Sequence, residues 1–350
     1  MKKYLFFLLS CLLLATGFGQ IPAHYYAVAE GKKNAELKSA LFAIISDGYV
    51  QRSYGQLWTD FVSTDTRHDG YVWDIYSNCD FTFGADQDGG QNAQTECVKY
   101  NREHSIPNSW FGGEKYPMYS DLFHMYPTDK YVNAQRANFP YGETNSPTIT
   151  YINGSRKGPG AQTFGYTETI FEPTDEFKGD LARSYFYMAT RYLNINFSQK
   201  DGGSVMFTYN TTTCDLSEYS NELLLKWHRN DPVSTKETDR NNAIYGIQNN
   251  RNPFIDYPEL VEHIWGNLKD VAWNSLAISD EPVKPSIIIT RNNEGIRIEG
   301  AAPDTEVEIY SITGQKLNAD AAEHDFISLY NLQRGVYIVK VGECVVKIVW

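Results

Sequence analysis

Apolar residues recur three and four positions apart across residues 34–45, at Leu37, Leu41, Ile44 and Ile45, and this spacing predicts an amphipathic helix. A second helix is predicted over residues 174–192, where Leu181, Tyr185, Met188 and Tyr192 share a face and Thr174 is placed to cap the start. A third is read over residues 258–273 from Leu260, Ile264, Leu268 and Val271. The rhythm changes at residues 279–286, where two prolines and several charges mark a linker. Beyond it the period becomes two, in the runs 287–289, 296–298, 307–309, 336–341 and 345–349. Turn signals at Thr313-Gly314, Arg334-Gly335 and Gly342-Glu343 separate these runs, so residues 287–350 are expected to form a small all-β sandwich. The expected fold class is α+β, with the mixed part over residues 20–278.

The first residues change the picture of where this chain works. Lys2 and Lys3 precede an apolar run over residues 4–14 and the small-residue pattern Gly17-Phe18-Gly19, the order of a signal peptide over residues 1–19. A lipoprotein signal ending at Cys11 is disfavoured because cleavage there would strand Leu12, Leu13 and Leu14 at the new terminus. No later stretch offers the roughly 20 apolar residues that span a bilayer. Cysteine usage agrees with an oxidising compartment: Cys79 and Cys97 are the expected disulfide, closing a Gly- and Asp-rich loop, with two buried thiols the less favoured reading. Cys214 and Cys344 stand alone.

Composition is that of a folded protein, 42% hydrophobic and 14% aromatic, with 25 tyrosines. The net charge of −12 argues against binding nucleic acid through a broad basic surface. A polyphosphate substrate would need local basic groups and a divalent cation.

Two segments carry candidate chemistry. In residues 97–107, Glu103 and His104 put a carboxylate beside an imidazole, a hard-cation ligand next to a base that works near neutral pH. The bare pair is a weak signal, since adjacent acid and histidine residues often form surface ion pairs. In residues 121–138, Pro127-Thr128 precedes a helix expected to be capped by Thr128, with Asn133 and Arg136 on one face. An amide oxygen facing a carboxylate suits Mg²⁺ or Ca²⁺. Neighbours on a regular strand point to opposite faces, so Glu103 and His104 are expected to reach one site through a bend or strand end near Pro107. His24, His228 and His263 read as packing or surface residues, His68 with Asp69 as a surface pair, and Trp110 and Phe111 as core aromatics. Asn250 and Asn252 read as bonding their own loop.

Taken together, NREHSIPNSWF (101–111), SDLFHMYPTDKYVNAQRANFPYGE (120–143), KGDLARSYFYMATRY (178–192) and NNAIYGIQNNRNPFIDYPELVEHIW (241–265) resemble the endonuclease I family of exported nucleases with a ββα-metal, or His-Me finger, site. The resemblance implies that His104 is the general base, that Glu103 and Asn133 hold the metal, Mg²⁺ with Ca²⁺ or Mn²⁺ as alternatives, and that phosphodiester bonds of DNA, with RNA as a further substrate, are cut to leave 5′-phosphates. Arg136 and Lys115 are the expected substrate contacts, Lys115 being the only basic residue between His104 and Asp121. The chain departs from the family pattern at Phe123, where members often carry histidine, and lacks a clear match for the family's phosphate-binding arginine before Asp121. The rival readings are a ribonuclease and an inactive cell-surface binding protein. The tail resembles the C-terminal sorting domain of the type IX secretion system, through IYSITGQ (309–315) and LxxGVYIVKV (332–341). That resemblance implies export by the type IX machinery to the outer-membrane surface or the medium; a monomer is expected.

Overall fold

The computed structural model describes residues 21–90, 92–200 and 202–275, and beyond them the segments 288–291, 295–299, 307–311, 314–317, 326–328, 335–341 and 344–349. The expected signal peptide, the linker over 279–286 and the Gly342-Glu343 turn lie outside the described residues. The chain divides into two compact units, Met1–Ser275 and Leu276–Trp350.

In the first unit, helix α1 (Asn34–Ser46) forms as its apolar spacing predicts, burying Leu37, Leu41 and Ile45 along one stripe. Helix α2 is Leu57–Thr64. Strands β1 (Tyr100–His104) and β2 (Met125–Asp129) pair antiparallel and lead straight into helix α3 (Lys130–Arg136). Strands β3 (Ile149–Thr150), β4 (Arg156–Pro159) and β5 (Thr169–Glu172) make a second small antiparallel sheet. Helix α4 (Lys178–Arg191) is the centre of the unit, buried at every position from Lys178 to Thr190. A helix so enclosed can carry Arg183 because its guanidinium donates to Glu237 at 2.5 and 2.7 Å, to Asp180 and to the Asp231 carbonyl. Around α4 lie helix α5 (Gly203–Met206), the pair β6 (Phe207–Tyr209) and β7 (Cys214–Leu216), and helices α6 (Glu218–Asn230), α7 (Thr235–Gln248), α8 (Pro253–Asp256) and α9 (Leu260–Ile264). One apolar core runs through the unit from Tyr26 to Trp273.

Three local expectations are corrected. Thr174 makes no capping hydrogen bond; residues 175–177 form a 3₁₀ turn, and α4 begins at Lys178. Thr128 does not cap α3, because Asp129, one residue later, accepts from the Tyr131 and Val132 amides. The helix expected over 258–273 stops at Ile264, where Glu262 turns back to accept from the amide of Asn267.

The second unit is all strand among its described residues: β8 (Ile288–Arg291), β9 (Gly295–Glu299), β10 (Val307–Ser311), β11 (Lys316–Leu317), β12 (Phe326–Ser328), β13 (Val336–Val341) and β14 (Cys344–Val349). They form two antiparallel sheets, ordered β11-β10-β13-β14 and β12-β9-β8. Along β13 the expected alternation holds, with Tyr337, Val339 and Val341 buried and Lys340 exposed.

Candidate active site

The β1–β2 pair and α3 form a strand–strand–helix unit whose register runs from Tyr100 opposite Asp129 to His104 opposite Met125. It is braced from behind. Arg240 of α7 donates to the Leu122 and Met125 carbonyls, and Tyr185 of α4 donates to the Ser105 carbonyl. Asp121 accepts from Tyr187, Tyr192 and Gln248. The expected disulfide joins Cys79 to Cys97 with Cα atoms 5.2 Å apart, and the Cys97 amide donates to Asp129, the cap of α3. The loop that disulfide closes is therefore fastened to the start of the helix carrying Asn133.

His104 ends β1 and is half-buried. Its ring stacks on Tyr54 (5.7 Å between centroids) and Tyr119 (5.0 Å), with His124 at 5.4 Å. Nε2 lies 3.0 Å from the Tyr119 carbonyl oxygen. A carbonyl can only accept, so the ring proton sits on Nε2 and Nδ1 is left with a lone pair. Burial, reinforced by His124, lowers the His104 pKa to about 3, so the imidazole is neutral. The next carbonyl back, that of Met118, holds Nε2 of the fully buried His124 at 2.6 Å. Phe123 packs on Tyr187.

Glu103 leaves the opposite face of the strand. Its Oε1 accepts from Tyr76 (2.8 Å) and from Arg136 (2.9 Å), and Tyr76 is in turn bonded to Tyr141. Burial pushes the Glu103 carboxyl up to about 7, against the opposing pull of Arg136 and Tyr76. Asn133 is on the Glu103 side of α3: its Nδ2 donates to Oδ1 of Asn101, two residues before Glu103 on the same strand face. The Asn133 amide oxygen accepts no hydrogen bond among the described residues. A carboxylate and an amide oxygen are hard donors of the kind that Mg²⁺, Ca²⁺ and Mn²⁺ take. A second donor cluster, Cys79, Cys97 and Asp129, is otherwise engaged, since its sulfurs form the disulfide and Asp129 accepts three backbone amides.

Two expectations about these residues change with the geometry. β1 pairs regularly and ends at His104, so the expected strand end is present and the bend is not, and Glu103 and His104 leave opposite faces. Arg136 touches both instead, through Glu103 Oε1 and the His104 carbonyl, and it also donates to the Ser105 carbonyl. Arg136 itself is 1% exposed, so its guanidinium braces the strand end and is closed to a substrate. Lys115, by contrast, is exposed, on the loop where Tyr116 packs on Tyr119 and Tyr119 packs on His104. The bland expectations for Trp110 and Phe111 hold, both being fully buried. His228 and His263 are buried and bonded to backbone carbonyls. Asn252 bonds its own turn through the Phe254 amide, but Asn250 reaches away to Ile45 and Tyr187. Tyr54, Tyr76, Tyr119 and Tyr141 carried no signal, because single tyrosines have no spacing to read. Asp129 had one, as a capping residue directly before the helical run.

Comparison with protein families matches residues 33–259 to Endonuclease I. The chain is 36% identical over 248 residues to an extracellular ribonuclease of Bacillus amyloliquefaciens, covering 69% of this chain and 78% of that one. It is 35% identical over 249 residues to an extracellular ribonuclease of Bacillus subtilis, with the same coverage. An extracellular deoxyribonuclease of Aeromonas hydrophila is 25% identical over 171 residues, or 49% of this chain and 56% of that one. Enzymes of this family are generally metal-dependent. The match over most of the first unit, with relatives that are extracellular nucleases, assigns this chain to the endonuclease I family as a hydrolytic nuclease.

Proposed function

We propose that this chain is an exported endonuclease that hydrolyses phosphodiester bonds of DNA and RNA with the help of a divalent cation, Mg²⁺ in the first place. The observation that carries the reading is the Nε2 contact of His104 with the Tyr119 carbonyl, which leaves Nδ1 unprotonated on the strand that also bears Glu103. His104 Nδ1 takes a proton from water as the water oxygen attacks phosphorus. The bond from phosphorus to the 3′-oxygen breaks, that oxygen takes a proton from solvent, and the products are a 5′-phosphate and a 3′-hydroxyl. Glu103 and Asn133 would hold the cation, which when bound neutralises charge developing on the phosphate and the leaving oxygen. Lys115, exposed beside the His104 stack, would meet a neighbouring phosphate as a point charge.

Contact with backbone phosphate alone does not tell ribose from deoxyribose. A second reading, specialisation for RNA, is favoured by the two Bacillus relatives named as extracellular ribonucleases. Export rests on the amino-terminal pattern of residues 1–19 and on the extracellular relatives, and passage through the type IX machinery rests on the tail signatures. The test is cleavage of supercoiled plasmid and of single-stranded RNA by the purified chain. Both should be cut with Mg²⁺ and neither with excess chelator, and Glu103→Ala and Asn133→Ala should each raise the Mg²⁺ concentration needed. Undiminished cleavage in chelator would overturn the metal assignment, and an intact plasmid beside degraded RNA would select the second reading.

A further inference from the structure

This chain is rich in carboxylates, and its arginines are spoken for. Eight of the ten arginines described in the first unit pair with an Asp or Glu. Arg102 and Arg191 have no carboxylate partner among the described residues. Arg191, at the end of α4, lies over Tyr49 and Tyr192 and shares no contact with the candidate site. Arg102 is different, because it stands two residues before His104 on β1 and so on the same face of the strand. Its guanidinium carbon lies 3.6 Å from the centroid of the Tyr54 ring and 4.2 Å from that of Trp58. Tyr54 is the same ring that stacks on His104. Arg102 Nη1 donates to the Tyr54 carbonyl at 2.6 Å, and Nε is buried without an acceptor.

Two aromatic rings and a carbonyl thus hold a half-buried cation in one orientation beside the candidate base. They satisfy its packing and one of its donors, and they do not neutralise it. A charge kept half-buried without a counter-ion, screened less than one free in water, attracts an anion brought beside it. The aromatic clamp removes the ordering cost that a free lysine or arginine would meet on binding.

We propose that Arg102 is the phosphate-binding arginine of this enzyme, its guanidinium meeting a non-bridging oxygen of the scissile or adjacent phosphate. The proposal rests on the reading of His104 as the base of a nuclease. It gives this chain a fixed, aromatic-clamped cation on the strand itself, whereas exposed Lys115 offers only a mobile one. It also explains how a protein of net charge −12 holds a polyanion: the positive charge is focused at one point beside the reaction.

The experiment compares the full chain with Arg102→Met, Arg102→Lys and His104→Ala, measuring kcat/KM on a labelled oligonucleotide over a range of salt, with thermal unfolding of each protein. Arg102→Met should lose about 10²-fold in kcat/KM, the scale of one positioned donor at a transition state. Its log–log salt dependence should be shallower by about one unit, the signature of one lost phosphate contact. Arg102→Lys, which keeps the charge without the fork, should recover the salt dependence and only part of the rate. A folded Arg102→Met with wild-type kcat/KM and salt dependence, beside an inactive His104→Ala, overturns the role of Arg102 and leaves the nuclease site standing. Loss of rate with an unchanged salt dependence also overturns it, as that marks a packing role. A fully active His104→Ala would instead remove the site on which the proposal rests.

Discussion

Arg136 and Lys115 separate binding from bracing at the level of single residues. Both are basic and near Glu103 or His104 in sequence or space, yet one is 1% exposed and fixed by three acceptors while the other is exposed. Arg136→Met would leave a buried carboxylate unpaired and should cost about 3–5 kcal/mol of stability in urea unfolding. Lys115→Met should change stability by no more than about 0.5 kcal/mol. Equal unfolding midpoints for the two variants would contradict the bracing role. The sequence made both look like substrate contacts, because spacing says which residues share a helix face and not whether that face is buried. His228 makes a second residue-level case, this time in pH. Its Nε2 faces the Pro258 carbonyl, which only accepts, and Nδ1 faces Arg183, which only donates, so the neutral ring fits and the protonated ring does not. Burial, with Arg183 adding to it, lowers the His228 pKa to about 4. Because the folded value lies below the unfolded one, the unfolded chain binds the proton first. The stability that neutral His228 contributes is whole above about pH 6.5 and is lost as pH falls toward 4. The stability difference between the wild type and His228→Phe should therefore shift by about 1 kcal/mol against the wild type between about pH 7.5 and 5.5. A pH-independent difference would show that the histidine is not held neutral.

Helix α3 is the element on which the candidate site turns, being only seven residues long and carrying both Asn133 and Arg136. So short a helix gains little from propensity and depends on its cap and on tertiary contacts. Asp129 supplies that cap, accepting from Tyr131 and Val132, and it also accepts from the Cys97 amide beside the disulfide. Asp129→Ala should cost about 1–2 kcal/mol in unfolding. It should also lower turnover, since Asn133 is then carried on a frayed first turn. A variant with full activity and an unchanged midpoint would show that α3 is held by other contacts. The helix after Thr128 was legible in the segment 121–138, but strand β2 before it was not, because Met125–Asp129 is buried at every position and so shows no alternation. The capping residue was missed by one position because threonine and aspartate both cap helices, and only the backbone decides which of two neighbours does so. The helix expected over 258–273 failed for a related reason. Leu268 and Val271 continue the apolar spacing, but both are exposed, so nothing rewards continuing the helix past Ile264.

At the scale of the whole molecule, the residues of the core that surrounds α4 run, among those described, from Tyr26 to Trp273. A chain ending after Ser275 should therefore fold and keep its kcat, as measured by plasmid nicking on the purified truncated protein. A folded but inactive truncation would show that the tail contributes to the catalytic unit. Strands β8, β9, β10, β13 and β14 of the second unit fall on or beside the period-two runs that the sequence shows after residue 286. The strand end at His104 was legible from Pro107, three residues on, but the opposite facing of Glu103 and His104 was not, because spacing does not tell a bent strand from a regular one. In the proposed reaction cleavage begins at His104, held by the Tyr119 carbonyl with the proton on Nε2 and a lone pair on Nδ1. The most direct test is the single-turnover rate of phosphodiester cleavage by His104→Ala against the wild type, in Mg²⁺ on one labelled duplex. The account predicts a loss of about 10²–10⁴-fold without loss of fold; a folded His104→Ala that cleaves at the wild-type rate would contradict it.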